Sequence, residues 1–117
     1  MKPRLRTLSL SLLVACASAC GESKPTDPLK QGRLLYFTNG CSACHNTRGE
    51  GGPMAPPLRN LAQHWNRDQL AQHMADPDAV SDDRLRQLSK QFPSPMKGVP
   101  SPQADRLLIA DWLLSLQ

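Results

Sequence analysis

Cys41-Ser42-Ala43-Cys44-His45 is the segment whose residue types and spacing carry the clearest chemistry. Three chemistries use two cysteines separated by two residues. A dithiol redox pair belongs to a strand–turn–helix setting, and no strand-like pattern precedes Cys41. A zinc site takes about four ligands. Beyond the two thiols the chain offers only His45, His64 and His73, which are not at zinc-finger spacing. The third chemistry is covalent haem attachment. It needs two thiols that reach the two vinyl groups of one haem edge, and a histidine directly after the second, so that its Nε2 meets the iron from the same side. The segment satisfies that geometry, so one haem c held through Cys41 and Cys44 is the expected cofactor.

Haem of this kind is attached outside the cytoplasm, and the N-terminus agrees. Lys2, Arg4 and Arg6 precede the apolar run Leu8 to Ala15, the order of a secretory signal and not of a buried helix. The run is far shorter than the ~20 residues of a membrane-spanning helix. Leu13-Val14-Ala15-Cys16 resembles the bacterial lipobox, and Ala17-Ser18-Ala19-Cys20 is a second, weaker version. Cleavage before Cys16, or alternatively Cys20, would leave an N-terminal thiol for acylation, a lipid-bilayer anchor worth about 0.8 kcal/mol per buried methylene. Ordinary cleavage near Ala19 would instead release a secreted protein. Residues 1–20 are thus the signal and lipobox region, and residues 21–27 are a polar linker containing Pro25. The residue after the modified cysteine, Ala17 or Gly21, is not Asp, and the resemblance to Gram-negative lipoproteins then implies a lean toward the outer membrane. The expected location is the periplasmic side of a bacterial membrane.

Composition closes off other classes. The chain has 117 residues and a formal net charge of +4, enough for one domain. Three of its 14 basic residues lie in the signal. Without them the balance is near neutral, so nucleic-acid binding loses its support. The aromatic residues are Tyr36, Phe37, Trp65, Phe92 and Trp112, and the chain carries 11 prolines. So thin a core calls for a cofactor.

The elements that must position the site read as helices. Pro28 to Thr38 is the first, with Asp27 as cap and Pro28 in the first turn. Arg67 to Ala75 is a second, stopped by Asp76-Pro77. Ser81 to Gln91 is a third, with Ser81 as cap and Leu85 and Leu88 facing inward. Ser101 to Leu116 is the last, with Ser101 as cap, Pro102 at the first position and an apolar stripe of Leu108, Ile109, Trp112, Leu113 and Leu116. Phe92 to Pro100 holds three prolines and a glycine and reads as a loop. The class is all-α, about four short helices with long loops round a flat cofactor.

Gly32-Arg33-Leu34-Leu35-Tyr36-Phe37-Thr38-Asn39-Gly40 leading into Cys41 to His45 resembles the start of a class I cytochrome c. The run Gly49-Glu50-Gly51-Gly52-Pro53-Met54-Ala55-Pro56-Pro57-Leu58 resembles the turn that follows the haem histidine in that family. The resemblance covers residues 28–117 and implies the cytochrome c fold, with Gly32 and Tyr36 crossing the last helix near Ile109 and Trp112. It implies His45 and Met96 as the two metal ligands, since Met96 occupies the loop before the last helix where the ligand methionine belongs. Met54 falls on the histidine side, Met74 reads as core filler, and His64 and His73 read as exposed histidines. It further implies that the Pro56 carbonyl accepts from His45 Nδ1 and that Leu58 packs on the haem. Trp65, Asn66 and Arg67 either reach the propionates or form a helix-start cluster. Arg48, Lys90 and Lys97 either ring the haem edge or are solvated surface.

The resemblance implies an electron carrier, not an enzyme. It would exchange single electrons with periplasmic or membrane redox enzymes. The alternatives are a permanent haem subunit of a dehydrogenase or oxidase, and a ligand-binding or peroxidatic haem protein with an open or bis-histidine site.

Overall fold

The computed structural model describes residues 21, 23–79 and 82–117. The signal expected over residues 1–20, with Cys16 and Cys20, lies outside them, as does Ser81. The helices are α1 (Pro28–Thr38), α2 (Ser42–His45), α3 (Arg67–Ala75), α4 (Asp83–Ser89) and α5 (Gln103–Leu114), with a 3-10 turn at Leu61–Gln63. No strand occurs among the described residues. The all-α class and the cytochrome c arrangement stand; α2 and the 3-10 turn are additions to the expected four helices.

α1 has both of its expected ends. The Asp27 carboxylate accepts from the Leu29 N–H at 2.9 Å, and Pro28 fills the first turn. At the other end Asn39 N–H bonds to the Leu35 carbonyl, and Gly40 turns the chain at φ 77°. Upstream, the Gln31 side chain donates to the Pro25 carbonyl, so part of the linker lies against α1.

The fold rests on the crossing of α1 over α5. A Cβ on Gly32 would stand 2.1 Å from the Leu108 carbonyl oxygen and 2.9 Å from Trp112 Cβ. Only glycine lets the two backbones meet there. One turn on, Tyr36 is fully buried with its ring 4.8 Å from that of Trp112. The contact expected at Ile109 and Trp112 thus falls on the Leu108 carbonyl and Trp112, with Ile109 fully buried in the same core. Burying Ile109 contributes roughly 1.5–3 kcal/mol.

α3 has the expected bounds. Its start is a capping box in which Asn66 Oδ1 accepts from Gln69 N–H and Gln69 Oε1 accepts from Asn66 N–H. Leu70, Ala71 and Met74 pack into the core against α5. On the surface Arg67 Nε donates to Asp111 Oδ1 at 2.7 Å.

Two helix starts differ from expectation. α5 begins at Gln103, not Ser101, because Pro102 takes a helical φ of −57° but an extended ψ of 153°. Pro102 is therefore the cap, and its carbonyl accepts from Asp105 and Arg106. α4 runs Asp83–Ser89 instead of Ser81 to Gln91. Its cap is Asp82, whose carboxylate accepts from Leu85 N–H at 2.8 Å. Its last residues leave α geometry because Gln91 and Phe92 bond back three residues, to Leu88 and Ser89. Leu85 and Leu88 are half-buried on an otherwise exposed helix.

The segment from Phe92 to Pro100 is irregular, as its prolines require, but it is pinned. Val99 N–H donates to the Met74 carbonyl at 2.6 Å, and a Cβ on Gly98 would stand 2.6 Å from the Ala75 carbonyl oxygen.

Candidate haem site

The Cys41–His45 turn starts where α1 stops. Cys41 N–H donates to the Tyr36 carbonyl at 3.1 Å, and Cys44 and His45 N–H both return to the Cys41 carbonyl. With Ser42–His45 helical, Cys41, Cys44 and His45 stand at i, i+3 and i+4 and share one face. That is what joining two thiols and one imidazole to a single flat group demands. Both thiols are free; Cys41 is half-buried and Cys44 exposed. Burial pushes the Cys41 thiol pKa above its ordinary value.

His45 is half-buried, and its Nδ1 lies 2.8 Å from the Pro56 carbonyl oxygen. A carbonyl only accepts, so Nδ1 carries the proton and the Nε2 lone pair is left for a metal. Burial lowers the His45 pKa, against the opposing pull of the Pro56 carbonyl. The imidazole is therefore neutral near pH 7, its ligating form.

Backbone turns bring Pro56 to His45. Gly51 N–H donates to the His45 carbonyl, Gly52 N–H to Ala55, and Leu58 N–H to Gly49. Gly49 and Gly51 have φ of 67° and 73°, and a Cβ on Gly51 would stand 2.4 Å from Pro57 N. Leu58 is half-buried against the core.

Among the methionines, Met74 is 3% exposed in the core, whereas Met96 is 40% exposed on the pinned loop. Met54 is exposed and lies in the loop that folds back on His45. His64 is exposed, but His73 is half-buried with its ring 5.0 Å from Trp65, which corrects its reading as a surface histidine. Asn66 and Arg67 are engaged at the start of α3, as a helix-start cluster. Arg48, Lys90 and Lys97 are exposed. Among the described residues no three His, Cys, Asp or Glu side chains converge on a metal-sized site.

Two residues next to the site carry roles that the spacing alone did not reveal. The Tyr36 hydroxyl donates to the Asn46 carbonyl at 2.5 Å, directly after His45. Asn46 itself sits at φ 66°, ψ 174°. Tyr36 reads in sequence as packing; the one clue at Asn46 is that asparagine tolerates positive φ better than most residues.

A protein-family comparison matches the cytochrome c model to residues 29–117, and the chain belongs to the cytochrome c family. It is a haem-binding electron-transfer protein, with haem c as the cofactor the family implies. Neither a curated protein nor a solved structure matches the chain significantly. The residues present fit the cofactor: two free thiols and a neutral, oriented imidazole lie on one turn.

Proposed function

We propose that this chain is a single-haem class I c-type cytochrome, anchored on the periplasmic side of a bacterial membrane, that carries single electrons between redox enzymes. The observation that carries the reading is the Cys41–Cys44–His45 face with His45 Nδ1 committed to Pro56. Cys41 and Cys44 would hold the group through their sulfurs, and His45 Nε2 and the Met96 sulfur would ligate its iron. Support for Met96 is by placement. Met74 is committed to the core, Met54 shares the loop of His45, and Met96 is exposed on a loop that Gly98 and Val99 fix to α3.

Haem so bound supplies a one-electron ferrous–ferric couple. The Met96 thioether is soft and neutral, so it favours the ferrous state and raises the potential. Met96 ligation would also keep other ligands off the iron, as a carrier requires. Acylation of Cys16, or alternatively Cys20, would hold the domain at the membrane, with the outer membrane favoured. Its donor and acceptor would be periplasmic or membrane redox enzymes, which dock briefly and weakly.

The ligand set is tested by the optical spectrum of a Met96→Ala variant. The expected result is loss of the weak long-wavelength ferric band that marks methionine–iron ligation in this family. A variant that keeps that band overturns Met96.

A further inference from the structure

Tyr36 brackets the haem-binding turn. Its backbone carbonyl accepts from Cys41 N–H at the start of the turn, and its hydroxyl donates to the Asn46 carbonyl at the end. Asn46 stands in a region of φ and ψ that is essentially reserved for glycine. Such a residue persists only where its surroundings over-determine it. Three bonds do so here. Asn46 N–H donates to the Ser42 carbonyl at 3.0 Å, its carbonyl takes the Tyr36 hydroxyl, and its side-chain amide donates to the Gly51 carbonyl at 2.6 Å.

The strained residue joins the two halves of the histidine support. On one side is His45. On the other is Gly51, whose own N–H donates back to the His45 carbonyl at 2.9 Å and which would collide with Pro56 and Pro57 if it bore a Cβ. Pro56 carries the carbonyl that meets His45 Nδ1. The Tyr36 hydroxyl thus lies two hydrogen bonds from Gly51, whose backbone abuts the residue that orients the imidazole. The ring needs no hydroxyl to pack against Trp112, so the hydroxyl answers to Asn46 and not to the core.

We propose that Tyr36 is a positioning residue for the haem histidine: its hydroxyl holds Asn46 in the strained conformation that sets the Pro56 carbonyl on His45 Nδ1. That hydrogen bond makes the imidazole a more basic ligand, which favours ferric iron. Loss of the hydroxyl relaxes Asn46, lengthens the His45–Pro56 contact and raises the midpoint potential.

The inference rests on His45 as iron ligand, and the holoprotein of the full chain tests both. Tyr36→Phe keeps the ring, so the protein folds. The expected results are a midpoint potential shifted upward and exchange of the His45 Nδ1 proton, followed by NMR in the ferrous state, accelerated at least tenfold. Unchanged potential and exchange in Tyr36→Phe overturn the proposal. A double-mutant cycle tests the strain itself. Glycine adopts the Asn46 conformation freely, so in an Asn46→Gly background the Tyr36→Phe shift should shrink to less than half. Equal shifts in both backgrounds overturn the role of strain, and a purely structural role would move the unfolding midpoint without moving the potential. A His45→Ala protein that retains the wild-type spectrum refutes the ligand reading on its own, whatever Tyr36→Phe does.

Discussion

At the scale of single residues, Tyr36 and His45 have opposite electrostatic needs, and burial serves both. Burial, reinforced by the nearby Glu50, drives the Tyr36 pKa well above its ordinary value. Burial drives the His45 pKa below its ordinary value. One group stays protonated to donate and the other stays neutral to ligate. For Tyr36 the linkage has a definite sign. Its folded pKa exceeds its unfolded value, so its contribution is complete below that unfolded value, about pH 10. Above it the unfolded chain releases a proton that the folded one retains, and stability falls as pH rises. Urea midpoints compared at about pH 9 and pH 11 should show this decline. Tyr36→Phe should lose the part of the decline due to this group; an identical decline would refute the assignment. Asn46 contributes with the other sign: its backbone conformation costs roughly 1–3 kcal/mol, which the bonds to Ser42, Tyr36 and Gly51 offset.

At the scale of elements, the crossing of α1 and α5 is the hinge of the design, since it orients Tyr36 beneath the haem-binding turn. Its tolerance at Gly32 is close to nil. A methyl group placed 2.1 Å from the Leu108 carbonyl oxygen must push the helices apart, because backbone cannot rotate away as a side chain can. Gly32→Ala should destabilise the protein by about 3 kcal/mol or more, measured by chemical denaturation; a loss under about 1 kcal/mol would mean the helices are not in backbone contact. The ends of α1 and α3 were legible in sequence because Asp27-Pro28 and Asn66 to Gln69 act locally, through their own side chains. The starts of α4 and α5 were not. At each, the sequence pointed to a serine, whereas the cap is the next residue, set by a backbone ψ at Pro102 and by the carboxylate of Asp82.

At the scale of the whole molecule, the proposed signal contributes most of the formal charge of +4. Removal of the proposed signal, which carries Lys2, Arg4 and Arg6, would leave a balance near +1, and two ionised haem propionates would bring it to about −1. A near-neutral carrier would gain little from long-range steering, which would give the proposed membrane tether a use: to hold the carrier near the proposed membrane partners. Intact mass of the mature protein tests that tether. The expected result is an N-terminus at Cys16 or Cys20 bearing acyl chains; either N-terminus without the added mass refutes the anchor. The core is correspondingly small. Its buried apolar residues include Ala55, Ala71 and Ala110 beside the larger Tyr36, Ile109 and Trp112, so a large flat cofactor supplies apolar contact that the side chains do not.

The sequence by itself determined the chemistry. Two cysteines and a histidine at i, i+3 and i+4 can share a face by helix geometry alone, and the prolines of 92–100 forbid a helix there wherever the loop packs. The helical class followed from spacing and capping residues of the same local kind. Only the tertiary structure decided which distant contacts fix the elements round the histidine. The contacts of Gly32 with Leu108, of Tyr36 with Asn46 and of Gly98 with Ala75 join residues 10 to 76 positions apart. Each depends on where two backbones come to lie, and no pattern along one segment records that distance.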